Sequence, residues 1–163
     1  MSEKAYTQDA ITKRFREFLM ANGMRQTRER YAVLEAAYEL EGTFTIDELE
    51  EMLQAKHFHV SKATLYNTVQ ILVQANLLIR HPFSSSVAVY ERILDDRPKC
   101  YQICNNCHRI TRIKSKDVAT AVLTYHPRRF NVSHRVLYVY GTCPKCVIAL
   151  RKRLKQFNKN IPS

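Results

Sequence analysis

Ser61-Lys62-Ala63-Thr64-Leu65-Tyr66-Asn67-Thr68-Val69-Gln70-Ile71-Leu72-Val73-Gln74-Ala75-Asn76-Leu77-Leu78-Ile79-Arg80 joins a capped helix to a strand. Ser61 is a good N-cap, because its hydroxyl can accept from the unpaired N–H groups of a first helical turn. Beyond it Leu65, Val69, Leu72 and Val73 recur at helical spacing and form one apolar stripe. Asn76 tolerates a left-handed backbone and predicts the stop. Leu77–Arg80 then reads as a strand. A second strand-like run, Val87–Glu91, follows the turn-forming Pro82-Phe83-Ser84-Ser85-Ser86.

Upstream of this stretch lie three more helical patterns. Thr7 caps a first, running to about Ala21 and ended by Asn22-Gly23. Thr27 caps a second, with Val33, Leu34, Ala37 and Tyr38 on one face. Thr45-Ile46-Asp47-Glu48 is a capping box opening a third, with Leu49 and Leu53 inside. Four helices and then a β-hairpin predict a winged helix-turn-helix, in which the last helix enters the major groove of DNA. The face of that helix opposite its core stripe carries Lys62, Tyr66, Asn67 and Gln70. Such side chains reach phosphates, thymine methyls and adenine edges. A merely solvated helix face accounts for them equally well. Arg25, Arg28 and Arg30 surround the start of the second helix, and Arg80 and His81 sit on the expected wing.

Downstream, Cys104-Asn105-Asn106-Cys107 and Cys143-Pro144-Lys145-Cys146 form two C-x-x-C knuckles. Four thiolates suit tetrahedral zinc, and they leave no open position for a reactive water. Buried structural cysteines or a redox pair are the competing readings, and two matched knuckles favour zinc. The 35 residues between the knuckles imply an inserted subdomain, with a strand near His108–Lys114, a helix near Asp117–Tyr125 and a strand near Phe130–Tyr140. The final segment, Val147–Lys159, places Val147, Leu150, Leu154 and Phe157 on one face, predicting a helix packed over the second knuckle. The whole reads as an α+β protein, with a winged-helix domain over residues 1–94 and a smaller α/β domain over 95–163.

The 163 residues carry 26 Lys and Arg against 15 Asp and Glu, a formal charge of +11. The surplus is uneven. Residues 1–83 hold 10 bases and 11 acids, and residues 84–163 hold 16 and 4. The nearly neutral half is thus the expected DNA reader. The tract Glu39–Glu51, with six acids and no base, must face away from phosphates. No run approaches the roughly 20 apolar residues of a membrane span. The acidic, polar start MSEKAYTQDA does not read as a secretion signal, so the expected compartment is the cytoplasm, with reduced cysteines. No nucleophile–base set points to an enzyme.

Taken together, the chain resembles the ferric uptake regulator family of bacterial metal-dependent regulators. The likeness rests on Gly23-Met24-Arg25-Gln26-Thr27-Arg28-Glu29-Arg30, Ser61-Lys62-Ala63-Thr64-Leu65-Tyr66, Tyr90-Glu91, Ile103-Cys104-Asn105-Asn106-Cys107 and Leu137-Tyr138-Val139-Tyr140-Gly141-Thr142-Cys143-Pro144-Lys145-Cys146. It implies a homodimer that binds a pseudo-palindromic operator through the winged helix and pairs through the C-terminal domain. By position it makes Tyr66 the groove-reading aromatic and Arg25 and Arg30 DNA-contacting bases, with Lys62, Thr64 and Asn67 beside Tyr66 on the reading helix. It makes Cys104, Cys107, Cys143 and Cys146 the holders of one structural zinc per chain. Control of iron or haem supply genes is the implied role.

The sensory-metal residues of that family are largely replaced. The His-rich run expected before the first knuckle is here Asp95-Asp96-Arg97-Pro98-Lys99-Cys100-Tyr101-Gln102, with Lys99 and Tyr101 at the ligand places. A protonated lysine cannot ligate a metal. A hinge histidine is replaced by Thr43, leaving Glu91, and a carboxylate is replaced by Arg112, leaving His134. The usual Fe²⁺ or Mn²⁺ sites are therefore expected to be degraded. Three effectors remain open: none, a second divalent metal on other residues, or haem. The candidates are Glu91, Cys100 and His134, with His57, His59 and His81 in reserve, and His126-Pro127 and Cys143-Pro144 as haem-type pairs. Outside this family, a zinc-ribbon redox or carrier protein is the alternative.

Overall fold

The computed structural model describes residues 7–82 and 87–159. The chain divides into two units, one ending at Asp96 and the other starting at Arg97.

The first unit holds α1 (Gln8–Ala21), α2 (Arg28–Glu39), β1 (Thr43–Thr45), α3 (Ile46–Ala55), α4 (Lys62–Gln74), β2 (Leu78–His81) and β3 (Val89–Arg92). Each helix starts where its cap residue stands. The hydroxyls of Thr7, Thr27, Thr45 and Ser61 accept from Ala10, Arg30, Glu48 and Thr64 N–H groups, and Glu48 closes the capping box on Thr45.

Three of the helices end in one way. Gly23, His57 and Asn76 adopt positive φ (63°, 55° and 53°). The N–H of the next residue, Met24, Phe58 or Leu77, then bonds back to the carbonyl of Leu19, Leu53 or Leu72 at 2.8–3.0 Å. This is the Schellman arrangement. It moves the predicted strand start from Leu77 to Leu78, because the Leu77 amide still serves the helix.

The apolar stripes meet in one core of Ile11, Phe15, Leu19, Val33, Leu34, Ala37, Leu49, Leu53, Leu65, Val69 and Leu72. Each fully buried Leu or Phe contributes about 1.5–3 kcal/mol. The strands form an antiparallel sheet in the order β1-β3-β2, with Phe44 opposite Tyr90 and Thr43 opposite Glu91. β1 has no sequence signal of its own. It is three residues long, and pairing with β3 makes it a strand. The Tyr38 hydroxyl lies 2.9 and 3.0 Å from the carbonyls of Leu77 and Ile93, tying α2 to both ends of the hairpin.

The second unit holds β4 (Lys99–Cys104), β5 (Ile110–Arg112), α5 (Lys116–Thr124), β6 (Val136–Gly141) and α6 (Pro144–Lys159). The sheet order is β5-β4-β6, with β4 antiparallel to β5 and parallel to β6. Such a parallel pair needs a long crossover, supplied here by residues 105–135. The expected strand from Phe130 is halved: residues 126–135 are irregular and β6 starts at Val136. The predicted packing of the last helix is also not met. Val147 is half-buried, Leu150 and Leu154 are 38% and 64% exposed, and the Phe157 side chain lies outside the described residues. The first turn is held to the knuckle, where the Val147 amide bonds the Cys143 carbonyl.

Candidate metal centre and nucleic-acid interface

The register of β4 on β6 builds the four-cysteine cluster. Cys104, the last residue of β4, stands opposite Gly141, the last of β6. Parallel neighbours end together, so both knuckles open from one edge of the sheet. The Asn105 amide bonds the Gly141 carbonyl at 2.8 Å, and the turn from Cys104 to His108 closes through a 2.9 Å bond.

The Sγ atoms of Cys104, Cys107, Cys143 and Cys146 all lie within 4.8 Å of one another. Among the described residues they are the only cluster of three or more potential metal ligands. Cys107 and Cys143 Sγ are 3.7 Å apart. Sulfurs on one tetrahedral zinc, each about 2.3 Å from the ion, sit about 3.8 Å from each other. The donor set and its spacing therefore fit zinc, held by these four thiolates, with a structural contribution and no open coordination position.

Electrostatics within the cluster favour a cation. The Cys143 N–H donates to Cys104 Sγ at 3.3 Å, and this bond is the main reason the Cys104 thiol titrates at about 6. The Cys146 amide lowers Cys143 in the same way. Cys146 is pushed up to about 12, first by its contact with Cys143 and then by Cys107. Four sulfurs at this distance cannot all carry charge unaided, and a dication removes that conflict.

α4 turns Lys62, Tyr66, Asn67 and Gln70 outward, and Tyr66 is 50% exposed. Thr64 is half-buried. Its hydroxyl accepts from Ser61, and its carbonyl accepts from the Thr68 hydroxyl. Arg25 is exposed, and the Arg30 guanidinium donates to the Arg25 carbonyl, which links the two candidate bases. Arg80 is exposed on β2, but His81 is not available as a wing contact. It is buried, with Nε2 3.0 Å from Glu91 Oε2. The register places His81 on the sheet face of Ile79 and Glu91, opposite to the Leu78 and Tyr90 face that enters the core. The wing turn at residues 83–86 lies outside the described residues.

The candidate effector residues are dispersed. Glu91 is in the first unit, committed to His81. Cys100 is buried on β4, and burial raises its thiol above the ordinary range, partly offset by Arg112. His134 is exposed before β6, its Nδ1 3.2 Å from the Ser133 hydroxyl. It lines an open cleft of about 500 Å³ with Val122, Tyr125, Phe130 and Arg135. Sequence reasoning gave this cleft no signal, because its walls come from α5, the irregular loop and β6. Lys99 and Tyr101 are buried on β4, and the Tyr101 ring stacks on Tyr138 at 6.2 Å. An aromatic pair thus occupies one of the expected ligand places.

Residues 21–140 match the model of the ferric uptake regulator family. The peroxide operon regulator of Bacillus subtilis is 28% identical over 131 residues, covering 80% of this chain and 89% of that protein. The ferric uptake regulation protein of Campylobacter jejuni is 27% identical over 142 residues, covering 85% and 89%. The Helicobacter pylori ferric uptake regulator superposes with a TM-score of 0.63 at 19% identity, over 90% of this chain and 97% of that one. This last similarity speaks to the fold.

Proposed function

This chain belongs to the ferric uptake regulator family and is a DNA-binding transcription regulator, and we propose that it works as a zinc-stabilised homodimer on pseudo-palindromic operators controlling iron or haem supply. The observation that carries the DNA-reading assignment is the exposed polar face of α4, with Tyr66 at its centre, on a capped helix that runs directly into a β-hairpin. The residues assigned to DNA are Tyr66, Lys62, Thr64, Asn67, Arg25 and Arg30, with the first unit as the reader and the second as the dimerisation domain. Thr64 acts there mainly by holding the helix start, given its bonds to Ser61 and Thr68.

Cys104, Cys107, Cys143 and Cys146 hold the structural zinc in this reading. The metal supplies cross-linking of two knuckles that the small sheet alone would leave weakly joined. The hinge position of the family does not sense metal here. Glu91 is already paired with His81, and Thr43 faces it across the strand pair. A footprint on genomic DNA tests the proposal. Two-fold symmetric protected sites are expected, and sequence-independent coverage contradicts it.

A further inference from the structure

We propose that Glu50 is a tuning residue for DNA binding, holding Lys62 until a phosphate displaces it; this rests on α4 being the DNA-reading helix. Lys62 is the first residue of α4 and its only charged one. Its Nζ lies 3.5 Å from Glu50 Oε2 on α3. The two partners are unlike. The Lys62 side chain is 72% exposed, whereas Glu50 is 23% exposed and lines a cleft of about 80 Å³ with Leu53, Phe58, His59, Val60 and Leu65. The acid is fixed by its walls and the base can swing. Its neighbours on α3 differ: Asp47 and Glu51 are exposed, and Glu48 is committed to the capping box.

A cation at a helix start opposes the positive end of the helix dipole. Glu50 offsets that opposition in the free protein. When DNA arrives, Lys62 and the α4 start together face the duplex, and phosphate replaces carboxylate as the partner. Glu50 belongs to the acidic tract expected to face away from phosphates, and its ion pair with Lys62 corrects that expectation for this residue, which lies beside the base that meets the phosphate. Giving up an exposed ion pair for the phosphate changes affinity about threefold. The effect is independent of base sequence and fades as salt screens it. Glu50 therefore lowers the sequence-independent part of all DNA binding through the single base of α4 and leaves base reading to Tyr66 and Asn67.

The test uses the full-length protein and fluorescence anisotropy on two duplexes. One is the tightest duplex recovered by selection from a random-sequence library, and the other is an unrelated mixed-sequence duplex. Salt is varied from about 50 to about 300 mM, a range over which phosphate contacts weaken. Glu50→Gln should tighten both duplexes about threefold at low salt, with the gain closing at high salt. Lys62→Gln should weaken both and lower the salt slope by about one. The double variant should behave as Lys62→Gln alone. Glu50→Ala, with the same expected gain, serves if Glu50→Gln fails to fold. Wild-type affinity in a folded Glu50 variant overturns the proposal. A gain that persists in the Lys62→Gln background also does so, by placing the effect outside the pair. Unchanged binding in both Lys62→Gln and Tyr66→Ala removes the α4 reading itself and this inference with it.

Discussion

Tyr66 is half exposed on a helix whose neighbouring large residues, Leu65 and Val69, are fully buried. A large aromatic left in solvent contributes nothing to this core, so its replacement separates function from stability. Tyr66→Ala is expected to weaken operator binding by about 1–3 kcal/mol, roughly 5- to 150-fold, while the melting temperature stays within a few degrees. Anisotropy titration beside a thermal melt checks both, and unchanged operator affinity takes Tyr66 out of the reader set. Leu65→Ala is the reverse control. It leaves a cavity in the core and should cost about 2–5 kcal/mol of stability in denaturant unfolding. Both residues were legible in the sequence, because the 3.6-residue period separates the two faces of a capped helix. His81 was not. Period-two alternation over a four-residue strand has no preferred phase when Arg80 and His81 are both polar. His81 is buried beside the Glu91 carboxylate on the sheet face away from the Leu78 and Tyr90 core, a pairing between strands that the local pattern does not show.

At the scale of elements, the helix starts were readable because each depends on one side chain. The stops at Asn22-Gly23 and Asn76 were readable for the same reason, but the stop at His57 was hidden, since a histidine in a sequence carries no helix-stop signal as glycine or asparagine does. His57 sits at φ 55° after α3, with its amide bonded to Gln54 and the Phe58 amide to Leu53. An L-residue there bears a conformational cost of about 1–2 kcal/mol, and glycine does not. Glycine loses more chain entropy on folding, which returns part of that gain. His57→Gly is therefore expected to stabilise the first unit by about 0.5–1 kcal/mol, seen as a higher denaturant midpoint at unchanged slope. A lower midpoint would mean that the imidazole makes a contact worth more than the backbone strain. β1 and the irregular 126–135 segment escaped the sequence for another reason. A three-residue strand exists only through its partner, and apolar residues such as Phe130 and Val132 mimic a strand when read without their neighbours.

For the whole molecule, the charge of +11 is displaced from the unit proposed to read DNA to the unit that carries the cysteines. Four thiolates and one zinc are −2 together, so metal loading moves the second unit toward neutrality as it ties its knuckles. The pairing of the knuckles was legible as two C-x-x-C motifs. Their closure depends on the β4–β6 register across a crossover, which no local pattern reveals. Zinc binding must drive protons from the site, because the Cys146 thiol is raised to about 12 in the free cluster. At least one proton therefore leaves per zinc, and affinity should fall at least tenfold for each pH unit of acidification. Cys104, lowered to about 6 by the Cys143 amide, is a thiolate above that pH and a thiol below it. A further proton then competes, so the slope steepens below about pH 6. Competition with a chromogenic chelator at several pH values measures the slope, and sedimentation velocity on the same samples reports the dimer. Cys104→Ser should behave at neutral pH as the wild type does after metal removal, with a loosened second unit and monomers in the sedimentation profile. A pH-independent affinity, or a Cys104→Ser protein that stays folded and dimeric without zinc, would separate the cluster from the assembly it is assigned to hold.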